Sequence, residues 1–454
     1  MRIMLAHNFY RSGAPSGENR VVEQDLEQLR SAGHDVQLHS VSSDEIDGYS
    51  ALGKATLPGR VIWSPHARRE LAGALERWQP DVVHVHNSFP LLSASILAAT
   101  NRAGVATVAT LHNYRLLCAG GSFFRDGRVC HDCLPHRTLP GIRHGCYRDS
   151  VAATLPLSIA NLVHARRWRT QVDALLTLSS AQRRLFVEAG FPADRTIVKP
   201  NWVPDRAVRV AGDLADPPEF AYLGRLAPEK GIDLLMAAWD VLLSTTPSPL
   251  PTLVIAGGGP LEERVRAWAA ARPSVRFVGH QDAAGCARIT NRALACLVPS
   301  VWEETFGLVV IESMAAGVPA IAPAHASFPD FIRSDRDGIL VDPGSAPALA
   351  EAMATLVARP ERSLALGAEA RRTYDERYRP EVVTAQLLDV YEAAIRRRAG
   401  AAAVDPAHTA GRERDAPRTV EPTHADRERQ APRVAEPNPA DRERQAPRAA
   451  EPKR

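Results

Sequence analysis

Apolar positions along this chain follow two alternating periods. After Ser16-Gly17-Glu18, Val22, Leu26 and Leu29 fall at i, i+4 and i+7, which predicts a helix with one packed stripe. Gly33 stands where such a helix ends in a left-handed residue. Residues 81–87 (DVVHVHN) and 105–111 (VATVATL) instead form short β-rich runs, separated by a helical stretch to Arg102 that Gly104 closes. The alternation starts afresh at 220–223 and continues at 253–256, 275–278, 295–299 and 318–322, each run followed by a helical pattern. Strand and helix in strict rotation predict two doubly wound parallel sheets, so the fold class is α/β with two Rossmann-like domains. The Pro- and Asp-rich stretch 203–218 is the linker between them. Ligands of such folds bind in the crevice at the carboxyl ends of the strands, which puts the expected site in the cleft that the two domains face.

The expected boundaries are 1–200 for the N-terminal domain, 216–380 for the C-terminal one, and a helix over 381–398. Beyond Arg398 aromatic and large aliphatic residues give way to Ala, Pro, Arg and Glu. A 15-residue unit built around Arg-Glu-Arg-x-Ala-Pro-Arg repeats three times, at 408–422, 423–437 and 438–452. The repeats contain no large apolar residue to bury between neighbours, so 400–454 is expected to be a disordered tail, either a Pro- and Arg-rich docking arm or a solvated extension.

Composition narrows the function. The 454 residues are 45% hydrophobic and 24% charged, with no apolar run near the roughly 20 residues a bilayer requires. Formal charge is only +3, too small to argue for nucleic acid as a partner. Met1–Tyr10 resembles a first strand more than a signal peptide, so the expected location is the cytoplasm, peripheral at the inner membrane face at most.

Two blocks carry candidate chemistry. In residues 299–319 a strand end, a turn and a helix follow one another, with Glu304 in the turn and Glu312 expected two turns into the helix. Gly307 lets backbone approach a ligand where the first helical N–H groups point outward. In residues 222–233, Arg225 and Lys230 flank a turn and can converge on one pocket. A weaker signal is the βα turn Gly257-Gly258-Gly259, which lacks the spacing and the following acidic residue of a dinucleotide fingerprint and disfavours an NAD dehydrogenase. Histidines gather at strand ends as His84, His86 and His112.

With these residues in place the sequence resembles, over about 1–398, the family-4 glycosyltransferases of the GT-B fold: Glu304 and Glu312 match the Glu-x7-Glu signature with Phe306-Gly307-Leu308 between. The resemblance implies that Glu304 contacts donor-sugar hydroxyls, that backbone at Phe306, Gly307 and Leu308 holds sugar and diphosphate, and that Glu312 reaches the ribose. It also implies that Arg225 and Lys230 meet the charge developing on a departing nucleoside diphosphate, since fixed cations that gain strength in that state lower the barrier. The glycine-rich segment 10–20 resembles the family's diphosphate loop, with Gly13 and Gly17 as candidates, although Pro15 and Ser16 stand where adjacent glycines are usual; Gly258 is carried as a further donor contact. His112 matches the histidine that hydrogen-bonds the donor sugar, with Glu304 its catalytic companion.

The implied reaction is retaining transfer from a nucleoside diphosphate sugar to a glycan, lipid-linked or small-molecule acceptor, in polysaccharide or envelope glycan assembly, with no cofactor and no catalytic metal. Asp335-Arg-Asp337 superficially offers a metal motif but sits in polar turn chemistry. The rival readings are a nucleotide-sugar epimerase on the same fold and a noncatalytic scaffold.

Four of six cysteines crowd into one segment, Cys118, Cys130, Cys133 and Cys146. Their spacing allows a structural zinc with His131 and His136 as spare ligands, or buried or redox-labile thiols. This loop, 113–150, carries Arg125, Arg128, Arg137 and Arg143 and is an expected acceptor-selecting lid. Residues 152–169 follow as a core helix with a basic end or as a helix resting on an anionic membrane surface.

Overall fold

The computed structural model describes residues 1–13, 17–135, 137–245 and 249–404. The tail repeats at 408–452, Pro15, Ser16 and His136 lie outside the described residues.

The first sheet holds β1 (Arg2–Phe9), β2 (Asp35–Ser42), β3 (Val82–Asn87) and β4 (Ala106–Leu111). After a hairpin of β5 (Phe124–Arg125) and β6 (Arg128–Val129), the same sheet is completed by β7 (Ala174–Thr177) and β8 (Thr196–Val198). Its order is β2-β1-β3-β4-β7-β8, every pair parallel. Helices cover both faces, so β3 and β4 are buried at every position, which explains their continuous apolar runs.

The second sheet starts from β9 (Glu219–Leu223). It continues with β10 (Thr252–Ala256), β11 (Val275–Gly279), β12 (Ala293–Leu297), β13 (Ala320–Pro323) and β14 (Ile339–Val341). The order β11-β10-β9-β12-β13-β14 is the doubly wound arrangement with its switch point between β9 and β12. In the first sheet the switch lies between β1 and β3. The two parallel α/β sheets match the expected fold class.

Helix Gly17–Ser31 buries Val22 and Leu29, and Gly33 adopts φ 85° beyond its end, as the pattern demanded. The helix expected over 381–398 is longer than the sequence pattern indicated: helix Pro380–Val404 packs Leu387, Val390, Tyr391 and Ala394 against Ile3, Leu5, Val108 and Leu176 of the first sheet. Residues 400–404, expected to belong to the tail, are therefore helical. Arg398 anchors this helix through Asp173 at 2.8 Å and Gln171 O at 2.9 Å.

The hairpin inside the loop 113–150 was not anticipated. Asp126 and Gly127 both have positive φ (53° and 74°), the geometry of a two-residue turn that favours Asp-Gly.

Candidate functional site

The carboxyl end of β12 runs into the turn that carries Glu304. That carboxylate is almost wholly buried, and one of its oxygens takes three donors: Lys230 Nζ at 2.6 Å, Trp302 Nε1 at 3.0 Å and Ser300 Oγ at 3.3 Å all meet Oε2. The Lys230 ammonium also lies 4.9 Å from the Trp302 ring centroid. Lys230 can reach Glu304 because Gly231, at φ 72°, turns the chain tightly against Pro299; a Cβ there would fall 1.8 Å from the Pro299 carbonyl oxygen.

Arg225 does not join this pair. Its side chain is 62% exposed and ion-paired with Glu229, so the expected convergence of Arg225 and Lys230 on one pocket gives way to two separate pairs. The cause is local, since the i,i+4 partner Glu229 lies within reach of the guanidinium.

Gly307 caps helix Leu308–Ala315 at φ 84°, and a Cβ on it would press to 2.9 Å from Phe328. Phe306 is a core residue, its ring 4.8 Å from Phe331, so only its backbone is available to a ligand. Glu312 is the fifth residue of this helix, little more than one turn in rather than two. Its Oε1 takes Arg20 and Arg206 together, each at 3.1 Å, one guanidinium from the first helix and one from the linker.

Two further contacts close the cleft. Thr305 Oγ1 donates to the His112 carbonyl oxygen at 3.1 Å, and Leu308 Cδ1 lies 3.5 Å from where a Gly17 Cβ would stand. The turn bearing Glu304 is thus seated against the end of β4 and the start of the first helix. Among the described residues nothing lies within 4 Å of where a Gly13 Cβ would stand. Gly258 has a Glu262 carboxylate oxygen 3.2 Å from its would-be Cβ, while Gly257 and Gly259 are the strained members, each backed onto main chain of the Gly224–Leu226 turn. Close backbone packing accounts for Gly257 and Gly259.

His112, at the end of β4, is buried, and its Nε2 lies 3.0 Å from His86 Nδ1. Burial pushes its pKa down to about 3, with His7 and Lys199 adding positive charge nearby. His84 and His86 are held well below the usual histidine range, again chiefly by burial. His84 is structural, bonded to the Tyr391 hydroxyl at 2.7 Å and the Thr110 hydroxyl at 2.8 Å.

The zinc expectation meets a different geometry. All four loop cysteines are free thiols, and among the described residues no group of three or more His, Cys, Asp or Glu is arranged to hold a metal ion. Burial, followed by the neighbouring Cys118, pushes the Cys133 thiol up to about 11. His131, a spare ligand in the sequence reading, instead lies 3.3 Å from Glu303, so the loop reaches across to the residue beside Glu304.

Arg20, Arg206, Trp302 and Thr305 were not singled out from the sequence. For Arg20, Arg206 and Thr305 the signal is a partner far away along the chain, which periodicity and local motif do not register, whereas Trp302 bonds Glu304 only two residues on.

Comparison with known proteins follows the same architecture. The family described as Glycosyltransferase Family 4 matches residues 15–206, and Glycosyl transferases group 1 matches residues 207–373. The chain belongs to the family-4 glycosyltransferases. This glycosyltransferase is similar to the phosphatidyl-myo-inositol mannosyltransferase of Mycobacterium leprae, 32% identical over 255 residues, which span 54% of this chain and 66% of that relative. It is 26% identical to the glycogen synthase of Mycobacterium tuberculosis over 437 residues, spanning 87% of this chain and 95% of the synthase. Among solved structures, Anabaena HepE in complex with UDP-glucose superposes with a TM-score of 0.61 at 16% identity, covering 87% of this chain and all of that one (100%). Sucrose-phosphate synthase from Thermosynechococcus elongatus gives 0.62 at 19% identity, covering 86% and 98%. At these identities the solved structures establish the GT-B fold. No helix among the described residues is long and apolar enough to cross a membrane.

Proposed function

We propose that this glycosyltransferase moves a hexose-type sugar from a nucleoside diphosphate sugar, with retention of configuration, to a glycan, lipid-linked or small-molecule acceptor. In this reading residues 216–380 bind the donor and residues 1–200 the acceptor. The observation that carries it is the Lys230–Glu304 pair at the carboxyl ends of the second sheet, seated against the strand end that bears His112. With Oε2 held by Lys230, Trp302 and Ser300, the carboxylate is oriented so that its other oxygen can accept from sugar hydroxyls, and Lys230 is placed to follow the phosphate charge that grows as the glycosidic bond breaks. Arg225, exposed in its pair with Glu229, would turn to the diphosphate when donor arrives, and Glu312 would exchange Arg20 and Arg206 for ribose hydroxyls.

His112 acts in this reading as a neutral hydrogen-bonding group. A pKa near 3 leaves it uncharged throughout the physiological range, so it serves orientation and dipolar stabilisation at the anomeric centre, not proton transfer. A membrane-face role for helix Val151–Thr170 draws support from the exposed side chains of Val151, Leu155, Leu162 and Val163.

Thermal-shift measurements with UDP-, GDP- and ADP-sugars test the donor assignment, because a bound ligand raises stability by mass action. One nucleotide class is expected to raise Tm in the wild type, and Lys230→Ala is expected to abolish the shift and to lower turnover by about 100-fold. Unchanged turnover in that variant would overturn the assignment. Product analysis without acceptor separates the epimerase reading: a donor returned with altered sugar stereochemistry would replace transfer as the conclusion.

A further inference from the structure

The ends of β3 and β4 form, with helices Ala51–Ile62 and Val151–Thr170, a cavity of about 90 Å³ whose wall includes His112. Val61, Leu157 and Trp168 make its apolar side, and His86, Asn113 and Arg115 its polar side. On that polar side Arg115 Nε, Arg115 Nη1 and His86 Nε2 are all buried without a hydrogen-bond partner. A buried guanidinium N–H left unpaired carries a desolvation penalty that folded proteins rarely leave uncompensated. The void beside it is several times the roughly 10–15 Å³ that one water needs, so there is room for a substrate group.

Arg115 is held in place rather than waving in solvent. Its guanidinium carbon stands 4.6 Å from the Phe89 ring and 5.6 Å from the Tyr147 ring. Asn113 Oδ1 accepts from its backbone N–H at 2.9 Å, and its carbonyl oxygen accepts from Asn161 at 2.7 Å. Tyr10, just after β1, and Glu18, in the first turn of helix Gly17–Ser31, face it as well, and Glu18 accepts from Asn113 at 2.6 Å. His86 lines the cavity too, and its Nδ1 is committed to His112, which leaves Nε2 as its one unpartnered nitrogen.

We propose that this cavity is an acceptor subsite for an anionic group, a carboxylate or a phosphate carried by the acceptor, with Arg115 as its counter-charge and His86 Nε2 as a second contact. A guanidinium offers such a group directional, charge-assisted hydrogen bonds that a neutral hydroxyl cannot repay. The subsite adjoins His112 through His86, so an acceptor anchored there has its reacting hydroxyl near the same strand end that faces Glu304. The proposal rests on the transfer reading of this cleft and adds the acceptor's chemical class to it.

The test uses the full chain and three probes, glucose, glucuronate and glucose 6-phosphate, with binding followed by ligand-observed NMR and nucleotide-induced thermal shift recorded in parallel. At least one anionic probe is expected to bind about tenfold or more tightly than glucose, and Arg115→Met is expected to erase the difference while the nucleotide shift persists. Arg115→Lys, which keeps the charge but not the planar fork, is expected to retain part of the preference and guards against a folding failure of the methionine variant. Equal binding of glucose, no binding of either anionic probe, or a preference that survives Arg115→Met would each overturn the subsite. Anion binding that depends on Arg115 in a protein that binds no nucleotide sugar would overturn the donor reading alone.

Discussion

Residues in this protein act through partners distant in sequence, and their ionisation follows from that. His84, His86 and His112 are buried with lowered pKa values, so each is neutral when folded but titrates near the ordinary value of about 6.5 once exposed. The unfolded chain therefore binds more protons below that pH, and the stability these groups contribute is present above it and lost as pH falls toward the folded values. Each such group costs about 1.4 kcal/mol per pH unit in that window. Glu18 and Asp173, whose carboxyl pKa values burial raises, work in the opposite sense. A comparison that isolates the histidine is His112→Asn: denaturant unfolding at about pH 7.5 and about pH 5.5 is expected to give a shallower loss of stability in the variant than in the wild type. Identical slopes would show that His112 does not titrate on unfolding. At the same scale, His86→Ala should lower turnover by leaving the His112 ring without the neighbour that fixes its orientation, while nucleotide binding measured by thermal shift stays intact.

At the scale of elements, turns decide whether the strand ends meet. The turn after β9 brings Lys230 to Glu304 only because Gly231 has no Cβ, and the main chain of Pro299 fills that space. Gly231→Ala combines a left-handed backbone with a collision at 1.8 Å, so the turn must shift. A loss of about 2–4 kcal/mol of stability and a fall in activity larger than the stability loss explains are expected, read from denaturant midpoints beside turnover. A variant with unaltered midpoint would mean that the turn has another conformation available. The same comparison shows what motif reading could recover. The strands 105–111 and 253–256 were legible to within a residue because fully buried parallel strands leave continuous apolar runs. The β5–β6 hairpin was not, since two-residue strands carry no periodicity, although Asp126-Gly127 was a usable turn signal.

For the whole molecule, the last helix belongs to the first lobe although it follows the second. Tyr391 and Leu387 fill the first core, and Tyr391 bonds His84. Truncation after Arg379 is therefore expected to expose that core and give aggregated or molten protein, whereas removal of residues 405–454 is expected to leave Tm and donor turnover unchanged, as circular dichroism melts and product assays would reveal. A soluble, cooperatively folded product of the shorter truncation would contradict the role assigned to this helix.

Sequence by itself determined the α/β alternation, the two-lobed plan and the Glu304 and Glu312 signature, because burial periodicity and turn chemistry are written into neighbouring residues. Only the tertiary structure decided that Lys230 grips Glu304 while Arg225 does not, that Arg20 and Arg206 share Glu312, and that Arg115 lines a cavity. The physical reason is reach: ion pairs, orphaned donors and shifted pKa values arise from groups brought within a few ångströms by the packing of separate elements, and chain order carries no record of that distance.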